Sequence, residues 1–417
     1  MQRQRAAWQD SAASWTLSIH SLLGNSGLSS WSSYCPRVTL LASPGGYPAR
    51  PGRMRLEQAE VFCYRIFEVG EAIDLERARL LLRESTRLKL TREGSEYIQL
   101  ANPPLSAEFD PRQLPLRSGL QDARTAVRIF HHGSMSIRFA LQVPPGTTLE
   151  ALIPFADEVY DSPVVEQTAA AVMLEVRQLI APTIEDPQLW DRNEGYTVIV
   201  PRRIEGRPSA KELLAEPALP RLLLGETKQI ELSENEQRDV LSHTFSYTTH
   251  DLSAIDWNAA RVYEPDAPGS DVPTLLEIAN AQLLEFRYFD DVLDKELGRV
   301  YDAIGAHRPR LFKSPYKKLL RELSRTLIEL SEFVERVENA LRIVGDTYLA
   351  KVYEGAVQQL RIEQWQQQVT RKQGVLNHAY ELLKGETDTN RALMLELAVV
   401  LLIVIEVLVA MLGFVPH

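Results

Sequence analysis

An acidic run in a helix-forming stretch is the part of the sequence best suited to metal chemistry. The residues Asp290-Asp291-Val292-Leu293-Asp294 place Asp290 and Asp294 one helical turn apart on the same face. Two carboxylates so placed suit a shared divalent ion such as Mg²⁺. A magnesium–diphosphate site also needs a second polar cluster on a facing helix, and the sequence offers none. We therefore interpret the run as a solvated helix face and keep Mg²⁺ as the alternative.

A second polar group lies just before the same helix. Asp256, Trp257 and Asn258 offer a carboxylate, an indole N–H and an amide in sequence. Side chains of these types hydrogen-bond neighbouring backbone and side chains, which suits a loop held against helices. The interpretation that we favour is a structural lock.

Asn280 and Arg287, two polar residues of the following helix, extend this group. Arg287 lies three residues before Asp290, so an ion pair between them is available within one turn. Pockets tend to form at domain junctions. The alternative to the lock is therefore a ligand pocket at the junction, lined by Asp256, Asn258, Asn280 and Arg287.

Adjacent histidines mark a predicted hairpin end at Phe130-His131-His132-Gly133-Ser134, where the glycine supplies the turn. Neutral imidazole is a common metal ligand. Since no His, Cys or Glu at suitable spacing completes a site, the structural interpretation is favoured for both histidines.

The elements around these residues are predicted from hydrophobic periodicity. Strands are expected at 60–67, 97–100, 126–130, 135–143 and 196–200, and helices at 75–83, 149–159 and 164–180. Strands and helices mix without a strict βαβ repeat. The prediction for residues 54–265 is a mixed α+β domain.

Residues 266–388 have the composition of long helices, divided by breaks at 307–309 and near Gly345 into three. Heptad-like apolar seams predict antiparallel or coiled-coil helices. The first seam contains Ala279, Leu283, Phe286, Phe289, Leu293, Leu297, Val300 and Ile304. The second contains Tyr316, Leu320, Leu323, Leu327, Leu330, Val334, Val337, Leu341 and Val344. Gly385 is expected to end the third helix.

The last segment, residues 391–415, is the only stretch apolar and long enough to cross a bilayer. Its apolar part spans roughly 28 Å as a helix, close to a hydrocarbon core of about 30 Å. Lys372, Lys384 and Arg391 lie on its N-terminal side and no Lys or Arg follows it. The positive-inside bias therefore predicts a single-pass anchor with the body in the cytoplasm.

Glu406 stands in the middle of this span, where a charge costs about 2.5–3.5 kcal/mol. A protonated carboxyl that the other residues of the span outweigh is the simplest interpretation. A contact with another subunit and a role in transport are the alternatives.

Composition excludes several classes of protein. The net charge is −10 with acids spread throughout, which argues against nucleic-acid binding as the main role. Only Cys35 and Cys63 are present, so neither a disulfide framework nor a structural zinc site is expected.

Residues 1–53 are Ser-, Gly- and Pro-rich with Asp10 as the only acid. They are read as a disordered extension: a mis-assigned start, with Met54 as the true first residue, or a transit peptide.

One stretch resembles a known family. The similarity is carried by Ser246-Tyr247, residues 251–260, residues 275–280, residues 284–288, Asn339, Asp346, Trp365 and Ile405-Glu406-Val407. These residues resemble the YagE family, also called the required-for-meiotic-nuclear-division family, a domain of unknown function, over roughly residues 57–415. The resemblance implies an α+β region, a helical region and a C-terminal membrane helix. Eukaryotic members sit in mitochondria or on other membranes, one is tied to mitochondrial translation, and the family has no established catalytic residues.

The sequence thus predicts a non-enzymatic, membrane-anchored scaffold or tether that forms homo-oligomers through its long helices and binds an unknown protein partner. The bacterial inner membrane is favoured, or the mitochondrial inner membrane if the protein is eukaryotic. No cofactor is expected beyond the Mg²⁺ alternative. The other hypotheses are a metal-dependent enzyme that uses the acidic helix cluster and a transport or channel subunit.

Overall fold

The structure of the protein is a computed structural model that describes residues 54–413, apart from 83–85, 88–90, 93–94, 97, 101, 229, 267–270, 306–315 and 344–346. The predicted extension at 1–53, the expected helix breaks at 307–309 and Gly345, and residues 414–417 lie outside the described residues.

Strands and helices both contribute to the fold, which is α+β as predicted. The strands are β1 Arg55–Glu68, β2 Gly70–Ile73, β3 Thr86–Arg87, β4 Thr91–Arg92, β5 Ser95–Glu96, β6 Ile98–Leu100, β7 Leu105–Leu116, β8 Gly119–Ile129, β9 Ser134–Val143, β10 Thr147–Thr148, β11 Ile184–Pro187, β12 Asn193–Ile204, β13 His243–Phe245, β14 Leu252–Ile255, β15 Ala259–Tyr263 and β16 Leu341–Ile343. The helices are α1 Leu75–Leu81, α2 Leu149–Tyr160, α3 Pro163–Leu179, α4 Ala210–Leu214, α5 Ala218–Leu224, α6 Glu234–Val240, α7 Val272–Gly305, α8 Lys317–Ala340, α9 Thr347–Gln359 and α10 Ile362–Gly413.

A mixed sheet of ten strands forms the centre of the body, in the order β13-β14-β15-β12-β1-β9-β8-β7-β3, with β10 paired to β1. The β12–β15 pair is parallel and the other pairs are antiparallel. In the register of the central strands, Val61 of β1 lies opposite Leu141 on one side and Ile199 on the other. The predicted hairpin is confirmed, because β8 and β9 pair from Ile129↔Met135 outward.

Both faces of the sheet are covered, because side chains of β1 alternate between two apolar cores. Val61 and Cys63 belong to the core shared with α1–α6, whereas Phe62, Tyr64 and Ile66 belong to the core shared with α7–α10. Burial on both faces explains why β1 reads as a continuous apolar run rather than an alternating one.

Helix α7 lies on the second face, where it packs against β1, β9 and β12. Most of its predicted seam is buried there, and the half-exposed Ile304 near its end is the exception. The predicted boundary at residue 265 therefore separates β15 from a helix that shares a core with the sheet.

Helix α8 buries Leu323, Leu327 and Leu330, and it packs against α7 and α10 of the same chain. The prediction that its seam continues as helix through Leu341 was wrong, and the last predicted seam residue, Val344, lies outside the described residues. The helix stops at Ala340, and Leu341–Ile343 form β16, which pairs with β6. A tertiary strand pairing has overridden local helical periodicity there.

The third predicted helix is two helices. The chain turns at Arg361, whose φ of 53° is left-handed, and α10 then begins at Ile362. The expectation that Gly385 ends this helix was also wrong, since α10 runs for 52 residues through it. A glycine inside a helix costs only about 1 kcal/mol, which the buried neighbours Leu383 and Thr387 can offset.

Candidate functional site

The side of α7 that faces the sheet carries buried polar residues. Glu277, Asn280, Gln282 and Glu285 are all buried against the central strands or the neighbouring helices. Charged and amide groups are rarely fully buried unless they are paired. Their partners therefore define the candidate site.

An ion pair joins Arg128 of β8 to Glu277, and both side chains are almost completely buried. Arg128 Nε also donates to Ser106 Oγ at 3.1 Å. Beside this pair, Arg138 hydrogen-bonds Tyr64. Burial and the charge of Glu277 raise the pKa of the Tyr64 hydroxyl, which keeps the phenol neutral.

Glu68 at the end of β1 and Glu285 of α7 form a buried carboxyl pair linked by a side-chain hydrogen bond. Burial, together with the charge of Glu285, raises the pKa of Glu68 well above its usual range, although a hydrogen bond from the Gly70 backbone opposes the shift. Two carboxylates this close cannot both ionise readily. The pair therefore retains a proton at pH values at which exposed glutamates have lost theirs.

His132 connects this acid pair to the surface. Its Nε2 atom lies 2.9 Å from Ser134 Oγ and 3.7 Å from Glu285 Oε1. Both contacts use the same ring nitrogen, whereas in a Ser–His–acid triad the acid binds the other one. Ser134 is also fully buried. The arrangement suits proton exchange between the acid pair and solvent better than nucleophilic catalysis, since the imidazole is one-fifth exposed.

The other histidine of the hairpin, His131, has its Nδ1 atom 3.1 Å from the carbonyl oxygen of Ile73. This contact ties the hairpin to the end of β2. It is the kind of contact that the structural interpretation predicts.

Arg287 is directed toward the sheet. Rather than the pair with Asp290 that the helical spacing makes available, it forms an ion pair with Glu194 of β12, and its guanidinium lies 6.0 Å from the centre of the Trp365 ring. Burial raises the pKa of Glu194, and the charge of Arg287 opposes the shift. Arg287 thus joins α7, the sheet and α10.

The residues Asp256, Trp257 and Asn258 form the turn between β14 and β15. Gln359 Nε2 donates to Asp256 Oδ1 at 2.8 Å, and Arg361 stacks 5.8 Å from the centre of the Trp257 ring. The Asn258 carbonyl accepts a hydrogen bond from the backbone of β12. The turn is thereby fixed against the junction of α9 and α10.

Asn280 lies elsewhere, inside α7, where its Nδ2 atom donates to the Leu276 carbonyl oxygen at 2.8 Å. Each of the four residues of the predicted pocket thus has a partner within the fold. These contacts are of the kind that the structural lock predicts, and the ligand pocket stays a prediction.

The acidic run on α7 is bridged by a lysine of α10. Lys372 Nζ lies 2.7 Å from Asp290 Oδ1 and 2.6 Å from Asp294 Oδ1. Its ammonium therefore takes the position that a shared cation would need. Within the described ranges, no three His, Cys, Asp or Glu side chains are grouped as a metal site. The Mg²⁺ interpretation remains a prediction.

The distal part of α10 has a different surface from the rest of the chain. Among the described residues it is the one helix long and apolar enough to cross a membrane, and its most apolar window is wholly unburied. Residues Leu393 to Val409 expose large apolar side chains on all sides, with Glu406 among them.

Sequence reasoning did not find Glu68, Arg128, Glu277 and Glu285 as a site. A usable signal was present, because residues 275–286 are apolar on nearly every side of the helix. A helix that is hydrophobic all round is buried. Its few polar residues must then find partners inside the protein.

Comparison with known proteins gives one family. The model of the family described as "Uncharacterized protein MJ0711, N-terminal domain" matches residues 58–270. The uncharacterized protein MJ0711 of Methanocaldococcus jannaschii is 24% identical over 181 residues, which are 43% of this chain and 55% of that protein. The chain thus matches about half the length of this relative. No solved structure matches it. The resemblance to the YagE family stays a prediction.

Proposed function

The chain belongs to the family of the N-terminal domain of the uncharacterized protein MJ0711, and we propose that it is a single-pass, C-terminally anchored membrane protein. In this proposal its α+β body is a non-enzymatic scaffold or tether held at the membrane surface. The observation that supports it is the continuity of α10, whose first part packs in the body and whose last part is apolar and unburied.

The first part of α10 is bound to the body by apolar packing. Val369, Leu376 and Leu383 are buried against the other long helices. Each fully buried side chain of this type contributes about 1.5–3 kcal/mol. This part of the helix is therefore fixed to the body.

The last part of α10 has no such packing. From Leu393 to Gly413 the helix is about 30 Å long, which equals the hydrocarbon thickness of a bilayer. Exposed apolar patches of this size mark membrane or protein contacts. Because no linker interrupts α10, the anchor would orient the body relative to the bilayer as well as retain it there.

Charge sets the proposed orientation. Lys384 and Arg391 flank the apolar segment on the body side, so the positive-inside bias puts the body in the cytoplasm. The resemblance to the YagE family supports a bacterial inner membrane, or the mitochondrial inner membrane in a eukaryote.

We also propose that copies of the chain associate within the membrane. Most of the described apolar seams of α7 and α8 pack inside the chain, and the exposed span offers a second copy an apolar surface. Glu406 has the chemistry for this contact, since hydrogen bonds between polar side chains hold membrane helices together.

Alkaline extraction of membranes tests the anchor. Leu401→Arg with Leu408→Arg should release the protein, since each arginine near the centre of a span costs about 2.5–3.5 kcal/mol. Leu80→Arg with Leu120→Arg is the matched control, because these exposed leucines lie on the body. Full-length protein that washes off membranes, or release that is equal in both variants, would refute the proposal.

Cross-linking in mild detergent tests self-association. Glu406→Leu should reduce the cross-linked dimer, whereas Glu396→Leu, ten residues earlier on the same helix, should not. Equal dimer yields in the two variants would exclude Glu406 as the contact and leave the anchor unaffected.

A further inference from the structure

Arg261 in β15 is completely buried on the sheet face covered by α1–α6. Its neighbours in the register are Ile199 of β12 and Ala254 of β14. Ala259 and Tyr263 flank it on the same face of its own strand. A guanidinium in such surroundings needs partners to satisfy its five N–H groups.

None of the three nitrogens of Arg261 has a hydrogen-bond partner among the residues that the structure describes. Arg65 is also buried on the same face, but its guanidinium has hydrogen-bond partners. It donates to the carbonyl oxygens of Tyr64, Val159 and Tyr160 at 2.8–3.1 Å. The difference between the two arginines is therefore specific to the site around Arg261.

Among the described residues, no carboxylate forms a salt bridge with Arg261. Burial lowers the pKa of Arg261 to about 10, which leaves it protonated at neutral pH. Its guanidinium lies 5.8 Å from the centre of the Tyr263 ring, and the carboxylate that acts on it through space is Glu216. An unpaired buried charge is strongly destabilising, whereas a paired one is tolerated.

Helix α5 packs against β15, and Glu216 lies between α4 and α5. Helices α4–α6 have five to seven residues each, well below the roughly 12–15 residues at which a helix becomes stable alone. These helices are therefore held by packing, with Leu213, Leu219 and Leu222 buried in the core. Opening of the α4–α6 segment would give solvent access to the guanidinium.

We propose that Arg261 is the anchor of an oxyanion-binding site beneath the α4–α6 segment. The ligand is a small molecule with a carboxylate or phosphate group, because a guanidinium binds either one through two parallel N–H···O bonds. Binding neutralises the buried charge and stabilises the closed position of the segment. The site lies in the part of the chain matched by the family and does not depend on membrane anchoring.

Thermal unfolding of the full-length protein in detergent tests this site. Sodium phosphate and sodium acetate are compared with sodium chloride at equal ionic strength. We expect at least one oxyanion to raise the melting temperature of the wild type and of Arg203→Met, an exposed arginine of β12. Arg261→Met should show no such rise. It should also fold and be more stable in chloride, because a buried unpaired charge has been replaced by an apolar side chain.

The two oxyanions separate the ligand classes, since a rise with phosphate alone assigns a phosphate site and a rise with acetate assigns a carboxylate site. Two results would overturn the proposal. One is an equal response of the wild type and Arg261→Met. The other is an internal ion pair, seen when Glu216→Gln destabilises the wild type in chloride but has no effect in the Arg261→Met background.

Discussion

Glu68 and Glu285 share a hydrogen bond in the core between β1 and α7. One of these carboxyl groups must carry a proton to donate that bond, so the contact between strand and helix exists in full only while the proton is bound. His132 Nε2 lies 3.7 Å from Glu285 Oε1, and the imidazole is one-fifth exposed to solvent. The junction of the sheet with α7 is therefore sensitive to pH.

The first prediction concerns the pH dependence of stability. Because the pKa of Glu68 is raised in the folded state, its contribution is complete below the pKa of an unfolded glutamate, about 4.3. The contribution is lost as pH rises through the folded-state pKa. Glu68→Gln imitates the protonated acid at every pH. Its stability relative to the wild type should therefore grow by up to about 1.4 kcal/mol per pH unit within that window.

Melting temperatures of both proteins in detergent from pH 4 to pH 8 measure this difference. Glu57→Gln, on an exposed position of the same strand, serves as the matched control and should track the wild type. A gap between Glu68→Gln and the wild type that does not change with pH would show that the pair holds no proton in this range.

The second prediction concerns Arg128 and Glu277, the other buried pair at this junction. Glu277→Leu leaves a buried guanidinium without its partner and should cost about 3–5 kcal/mol. Arg128→Met with Glu277→Leu removes both charges and should recover most of that loss, since an apolar pair of similar volume often replaces a buried ion pair without penalty. Urea denaturation of the four proteins of the cycle measures the coupling. Additive losses in the double variant would mean that the two side chains act independently.

Hydrophobic periodicity predicts much of the fold wherever a strand or helix buries a regular set of apolar side chains. The seam of α7 and the strands β1, β9 and β12 are strongly apolar and were found. By contrast, β7 was missed because Pro111 and Pro115 and several charges interrupt its pattern. Tertiary pairing with β8, across an irregularity between Phe109 and Arg112, holds it in the sheet. A pattern confined to one strand carries no information about such a partner.

The site was harder to predict than the fold, because its residues meet only through packing. Helical spacing makes a pair of Arg287 with Asp290 available, yet Arg287 pairs with Glu194, 93 residues away. Lys372 of α10 forms the ion pair with Asp290 instead. Helical spacing identifies which residues share a face, but the identity of the opposite surface depends on how α7 crosses the sheet.

The third prediction concerns that lysine bridge. Lys372→Met leaves Asp290 and Asp294 side by side without a cation, and burial already raises the pKa of Asp290. The loss of stability at pH 7 should be about 1–3 kcal/mol and should shrink at lower pH as Asp290 becomes protonated. Lys295→Met removes an exposed pair with Asp291 and should cost less than about 1 kcal/mol.

Chemical denaturation at pH 5 and pH 7 distinguishes these variants. Equal losses of stability for Lys372→Met and Lys295→Met would contradict the bridge.

Magnesium added to Lys372→Met tests the metal interpretation in the same experiment. A rise in melting temperature that Asp290→Asn abolishes would support a divalent ion at this position.

The fourth prediction concerns the continuity of α10 at Gly385. Outside the backbone of α10 itself, no heavy atom of the described residues lies within 4 Å of a Cβ added there, so Gly385→Ala should fit without strain and stabilise the helix by about 0.5–1 kcal/mol. Gly385→Pro removes a backbone hydrogen bond and should cost about 3 kcal/mol. The alanine variant should keep the anchor rigidly joined to the body, whereas the proline variant should uncouple them.

Pulsed spin-label distances between exposed positions Val375 and Leu395 measure this coupling in lipid nanodiscs, in a Cys35→Ser background. Cys63 is buried and its pKa is raised to about 11, which protects it from labelling. The wild type and Gly385→Ala should give one narrow distribution near 30 Å, as expected for 20 residues of helix at about 1.5 Å each. Gly385→Pro should broaden it. A broad distribution already in the wild type would mean that body and anchor move independently, and the membrane would then retain the body without orienting it.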